Sequence, residues 1–281
     1  MSVELTGPPI ALPKVGPHRS TPMIAFGTML LRDVAVLRKT FIQFALRTVM
    51  QPLLFVFVFT YVFPKIGQGI GGAGGERDFA SLLVPGVIAI ACIFQGIQAV
   101  ALPLVQEFGY SREIEDRVMA PLPVWAVAVE KLLAGALQGL VAALIVFPLA
   151  LFVPSTPVHL TVRPLLLLTL LPLACVTGAA LGLLIGTRVS PRQVPLIFGI
   201  VVIPITFLGA TYYPWAKLTA IPWLKAVVLL NPLVYMSEAM RVSLTPKIEH
   251  MPFWAIYGGL ILFTTVLAGL GIQGFIKRVQ S

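Results

Sequence analysis

Long apolar runs fill most of the chain, and each is closed by a short polar or proline-rich break. A helix of roughly 20 apolar residues crosses the hydrocarbon core of a bilayer. Six segments reach that length: 44–63, 80–105, 132–153, 164–187, 194–213 and 252–275. Ahead of the first, PMIAFGTMLLRDVAVLRKTF (22–41) spaces Phe26, Leu30, Leu37 and Phe41 at helical intervals, among Arg32, Arg38 and Lys39. Thr21 followed by Pro22 is a helix start, with proline at the first helical position. The pattern predicts an amphipathic helix lying along the membrane surface; a plain extension of the first span is the alternative. After the fifth run, Pro214, Pro222 and Pro232 interrupt a segment carrying Tyr212, Tyr213, Trp215, Trp223 and Tyr235. Broken helices of this kind survive at membrane depth only when protein shields them, so short re-entrant helices are predicted here, with interfacial aromatics as anchors. The expected fold is an all-α integral membrane protein: six transmembrane helices, an N-terminal amphipathic interfacial helix, and short re-entrant outer helices between spans five and six.

Composition agrees with that pattern. The chain is 58% hydrophobic and 11% charged, against about 25% charged residues in an average soluble domain. A soluble fold of this length could not hide so much apolar surface. The net charge of +9 is not gathered on one face or run, so no nucleic-acid partner is expected. With both termini inside, 13 of the 20 lysines and arginines fall in inner segments, the bias that marks the cytoplasmic side. Residues 1–21 are polar and proline-rich, and read as a flexible cytoplasmic tail with no signal peptide. Cys92 and Cys175 sit in separate apolar runs and read as buried, inert thiols. Gly67, Gly69 and Gly72 have GxGxxG spacing but follow no strand and open no helix, so they read as a linker. Gly178, Gly182 and Gly186 repeat every four residues, which places them on one face of span four for close packing. Packing within the subunit is the first reading and a dimer contact the second.

One stretch breaks the apolar pattern. EFGYSREIEDRVMAPLP (107–123) packs Glu107, Arg112, Glu113, Glu115, Asp116 and Arg117 into eleven residues of a chain with only 31 charges. Ser111 can cap a short helix that Pro121 and Pro123 would stop. Glu113 precedes Arg117 by four, the favourable order for a helical pair. The spacing predicts a short charged helix held between spans two and three on the inner face, where an ordinary solvated loop would also account for the charge.

Polar side chains inside spans are costly and are candidates for function. Gln95 and Gln98 lie on one face of span two, Gln138 lies in span three, and Thr206 and Thr211 in span five. Gln51 adjoins Pro52 in span one. Gln95, Gln98, Gln138 and Thr206 are the candidate substrate path, with interhelical hydrogen bonding as the competing role. In NPLVYMSEAMR (231–241), Glu238 and Arg241 fall one helical turn apart, so Asn231, Glu238 and Arg241 are candidates for holding an outer gate, in a partly desolvated place. Simple membrane anchoring is the alternative there.

EDRVMAPLPVWAVAVEKLLAGALQGLV resembles the segment after span two in permease subunits of the ABC-2 type transporter family, where an acidic or Asp-Arg pair precedes a proline and a basic residue entering span three. YYPWAKLTAIPWLKAVVLLNPLVYMSEAMR (212–241) is similar to that family's outer segment between spans five and six. The glycine-threonine often found in the first motif is missing, a variation that the drug-exporting, daunorubicin-resistance-like branch tolerates. The resemblance implies that residues 22–281 form an ABC-2 type transmembrane domain in a bacterial cell membrane, with both termini cytoplasmic. It implies that the charged helix, with Glu107, Arg112, Glu113, Glu115, Asp116 and Arg117, docks on a separate ATP-binding cassette subunit. A second permease, a copy or a relative, would complete the pathway, and the lipid bilayer is the remaining partner. The chain has no GxxxxGK[ST] loop. It is therefore expected to be a transport subunit and not an enzyme, with no cofactor of its own; ATP and Mg would be bound by the partner subunit. The implied cargo is an apolar or amphiphilic drug or lipid, moved outward.

Glycan or glycolipid export on the same fold is the nearest alternative. An ion-coupled secondary transporter normally needs acids near the bilayer midplane, and the spans carry none there. A membrane-embedded enzyme needs a metal or acid–base constellation, and the three histidines and three aspartates form no such spacing.

Overall fold

The computed structural model describes residues 22–66, 76–111, 122–154 and 158–280, and these are helical nearly throughout. Helix α1 (Pro22–Lys39) starts at the expected proline and buries no residue fully. Phe26, Leu30 and Leu37 lie on its half-buried side. Only Thr40 separates it from α2 (Phe41–Val62), the first span. Pro52 removes one backbone donor within α2, and the helix widens into a π-turn over Phe57–Val62.

Helix α3 (Glu76–Gln106) is the axle of the molecule. Its membrane-length stretch is 89% buried, against 18% for α2. It widens at its end into a π-turn, Glu107–Ser111. Helices α4 (Val124–Phe152) and α5 (Pro164–Arg188) pack on it, and α9 (Phe253–Gln280) packs on α5. The seam between α3 and α5 is where the glycine stripe lies. A Cβ on Gly182 would fall 2.4 Å from the Gly96 carbonyl oxygen, and one on Gly178 would fall 2.9 Å from that of Cys92. Only bare backbones fit at that distance, so the stripe serves packing within the subunit. Cys92 and Cys175 meet in this seam as free, buried thiols, their sulfurs 3.7 Å apart.

Among the described residues, five helices, α2, α3, α4, α5 and α9, are long and apolar enough to cross a bilayer. The expected fifth span (194–213) differs. Here α6 (Pro191–Phe207) has 17 residues, in which short α-helical, 3-10 and π stretches alternate. At 1.5 Å per residue it covers roughly 25 Å, less than the ~30 Å hydrocarbon core. Pro195 and Pro204 prevent a uniform hydrogen-bond ladder, and the helix stops before Leu208–Ala210. Beyond it, α7 (Pro222–Leu230) and α8 (Pro232–Leu244) form a pair bent by 99°. The break falls at the expected prolines; protein encloses α8, twelve of whose thirteen residues are buried, while α7 buries only Val228.

The two ends of the bundle are tied differently. At one end, Arg278 of α9 donates to the carbonyls of Gly186 and Val189, both at 3.1 Å, and stacks on Phe108. At the other, the strand-like segment before α5 runs along the end of α8, with Thr161 N donating to Leu244 O at 2.9 Å and Arg163 N to Ser243 O at 2.8 Å.

Candidate functional site

Two polar assemblies interrupt the apolar interior. The first is a groove of about 560 Å³ between α1, α2, α3 and α4. Its α3 wall carries Gln95 and Gln98, three residues apart on one face, the π-turn at the end of α3 brings in Glu107, and α4 contributes Lys131 and Gln138. Helices α1 and α2 close the opposite side with Arg32, Asp33, Gln43 and Arg47. The wall is internally bonded. Thr48 Oγ1 donates to Gln95 Oε1 at 3.2 Å, and Gln95 Nε2 reaches Gln138 Oε1 at 3.4 Å. Lys131 Nζ donates to Glu107 Oε1 at 2.8 Å, with both side chains less than a tenth exposed. Glu130, beside Lys131, is also fully buried.

Three of the four substrate-path candidates thus share one groove. Thr206 does not join them: it lies in α6, where its hydroxyl donates to the Ile203 carbonyl at 2.7 Å and its own carbonyl accepts from Thr211. Glu107, grouped in sequence with the charged stretch, is held inside the protein by Lys131 and faces the groove. Arg112, Glu113, Glu115, Asp116 and Arg117 lie outside the described residues. Arg47 of α2 and Lys131 of α4 line the same groove. Their convergence with the glutamines requires α2 and α4 to pack on the same side of α3, which no local spacing encodes.

The second assembly is the Glu238–Arg241 ion pair, one turn apart on α8 and wholly enclosed, both side chains showing no exposed surface. Arg241 donates from Nη1 to Glu238 Oε1 and from Nη2 to the Ala210 carbonyl at 2.9 Å. Ala210 has φ 51°, the left-handed region, and among the described residues it is the one non-glycine there. That turn aims its carbonyl at the guanidinium. Glu238 accepts from Trp215 N at 2.9 Å on Oε1 and from Met251 N at 2.8 Å on Oε2. One carboxylate therefore ties together the segment after α6, α8 itself and the entry to α9. Asn231 caps α8 by accepting from Leu233 N at 2.9 Å, and its amide donates to Ile205 O in α6 at 2.7 Å. Sequence spacing identified the pair but expected only partial desolvation. Its enclosure comes from backbone partners 13 to 31 residues away.

A broken apolar helix clasped by a buried ion pair, beside a bundle of long apolar helices with a polar groove, is the architecture of an all-α membrane protein. The family model for the ABC-2 type transporter matches residues 24–245, and the chain belongs to that family. It is similar to the inner membrane transport permease YadH of Escherichia coli (strain K12), with 28% identity over 227 residues covering 79% of this chain and 85% of that protein. The permease of the same name from Shigella flexneri matches to the same extent. The chain is thus a multi-pass permease component of the ABC-2 type.

Proposed function

We propose that this chain is the membrane permease subunit of an ATP-driven exporter that moves an apolar or amphiphilic substrate, a drug or lipid, out of the cytoplasm across a bacterial inner membrane. Energy comes from a separate ATP-binding cassette subunit carrying ATP and Mg, and a second permease, a copy or a relative, completes the path. Both termini and residues 107–123 face the cytoplasm. The observation that carries this reading is the family match over residues 24–245, joined to a sequence with no phosphate-binding loop of its own. Arg112, Glu113, Glu115, Asp116 and Arg117 dock on the ATPase, and such charges chiefly set register and specificity. Glu107, bonded to Lys131, anchors the start of that segment to α4. Movement of the docked segment is thereby passed to two residues that line the polar groove. Gln95, Gln98 and Gln138 offer amide contacts along the substrate path, Thr206 lies beyond them in α6, and the Asn231–Glu238–Arg241 assembly holds the outer gate.

The test is copurification and ATPase assay in nanodiscs with the triple variant Glu113→Ala, Asp116→Ala, Arg117→Ala. The expected result is a stably folded permease that binds its ATPase at least about tenfold more weakly, a change of ~1.4 kcal/mol or more. Unchanged association in the folded variant overturns the docking assignment.

A further inference from the structure

Arg47 is the single charged residue between Phe41 and Val62. It is exposed on the protein surface and makes no hydrogen bond or ion pair among the described residues. An arginine within a span is costly unless an anion or water meets it. Three cavities converge on it: the polar groove of about 560 Å³, a narrow cleft reaching Gln95 and Gln98, and an apolar groove of about 480 Å³. The apolar groove follows one side of α2 along Met50, Leu54, Phe55, Val58 and Phe59. The side chains lining the polar groove carry three cations and two acids, and Lys131 is already held by Glu107. A positive charge is therefore left over where polar and apolar surfaces meet. A second copy of the chain packed on the exposed faces of α2 or α6 would not neutralise Arg47, because neither helix carries a carboxylate.

We propose that the two grooves joined at Arg47 form one binding site for an anionic amphiphile, with its phosphate or carboxylate head on Arg47 and its chain along Met50, Leu54 and Val58. The head lies in the polar groove, where Gln98 and Gln138 present amides to its remaining oxygens. A guanidinium offers paired donors to such an oxyanion, which a lysine ammonium matches only as a point charge. The chain covers apolar surface that would otherwise face the groove. This inference rests on the permease reading and narrows its substrate class.

The experiment places the full-length chain in phosphatidylcholine nanodiscs with a trace of a phosphatidic acid analogue bearing a photoreactive group on its acyl chain. A chain-matched phosphatidylcholine analogue is the neutral control. The anionic probe is expected to label residues 47–59 about tenfold more than the control, as one charge-assisted contact provides. Arg47→Gln removes that preference and Arg47→Lys restores part of it. Arg47 has no partner to lose among the described residues, so both variants are expected to fold. Equal labelling by the two probes, or an unaltered preference in Arg47→Gln, overturns the proposal. Displacement by inorganic phosphate alone overturns it too, making the site one for a free anion. Disulfide-linked dimers of Leu54→Cys that exclude the probe would assign the apolar groove to a second copy and likewise overturn it. Labelling needs no ATPase. A chain that binds its ATPase but shows no anionic preference loses this site and keeps the permease reading; one that shows the preference but binds no ATPase does the reverse.

Discussion

Among the described residues, two buried acid–base pairs are built for different work. Glu238 and Arg241 sit on one helix, one turn apart, with every carboxylate oxygen bonded and no exposed surface. Glu107 and Lys131 come from different helices, α3 and α4, and they form part of the wall of an open groove. The first pair is a clasp. Its hydrogen bonds go to backbone groups of segments that are otherwise irregular, so it substitutes for the secondary structure that the prolines forbid. The second is a joint between two regular helices, next to space that water or a ligand can enter. Desolvation makes an enclosed charge expensive once its partner is lost, and access to a polar cavity relieves that cost. Position, more than the chemistry of the pair, therefore decides how much stability each contributes and how much motion each permits.

The clasp is the more sensitive of the two pairs. Glu238→Gln or Arg241→Gln leaves a buried charge without its counter-ion, and either is expected to destabilise the fold by roughly 3–5 kcal/mol. Thermal unfolding in detergent reads this, and the double variant should recover part of the loss. A melting curve matching the parent's for each single variant would mean that the pair is not the clasp described. At the joint, Lys131→Met is expected to cost less, about 1–3 kcal/mol for losing one charge-assisted hydrogen bond beside the open groove. Its larger effect falls on function, with ATPase activity no longer matched to efflux. If Lys131→Met destabilises as much as Arg241→Gln, the groove does not relieve the lost charge and the contrast fails. The smallest effect on stability is expected for Gln138→Leu. It removes a long hydrogen bond of 3.4 Å, worth roughly 0.5–1.5 kcal/mol at most, which the gained apolar contact offsets. Efflux assays should nevertheless show an altered substrate preference, and an unchanged profile would remove Gln138 from the path.

Much of this architecture is legible in the sequence, for reasons that differ by element. Helices α2, α3, α4, α5 and α9 follow from run length alone, because a bilayer demands continuous apolar surface and internal hydrogen bonding. Helix α1 follows from its proline start and spaced apolar residues. The bent α7–α8 pair follows from Pro222 and Pro232. The glycine stripe declares a close approach through its period of four, although not its partner, Gly96 of α3. Helix α6 reads as a full span from sequence because its composition is as apolar as that of the others. Its shortening depends on where the chain must turn to bring Ala210 to Arg241, a contact across 31 residues.

Local sequence was enough for the class of solvent, the five long helices, the break between α7 and α8, and the ion pair one turn apart on α8. Each is a local matter, set by hydropathy, proline geometry or helical period. The tertiary structure alone decided that α3 is the axle, that Gln95, Gln98 and Gln138 share a groove with Arg47, that Glu107 faces Lys131 instead of solvent, and that the Glu238 carboxylate binds three segments together. Those are meetings between side chains tens of residues apart. They depend on which faces of the helices pack against one another, and in a chain whose helices are apolar nearly all round, the pattern of hydrophobic positions does not choose the face. Close approach of small residues and the few buried polar groups choose it instead.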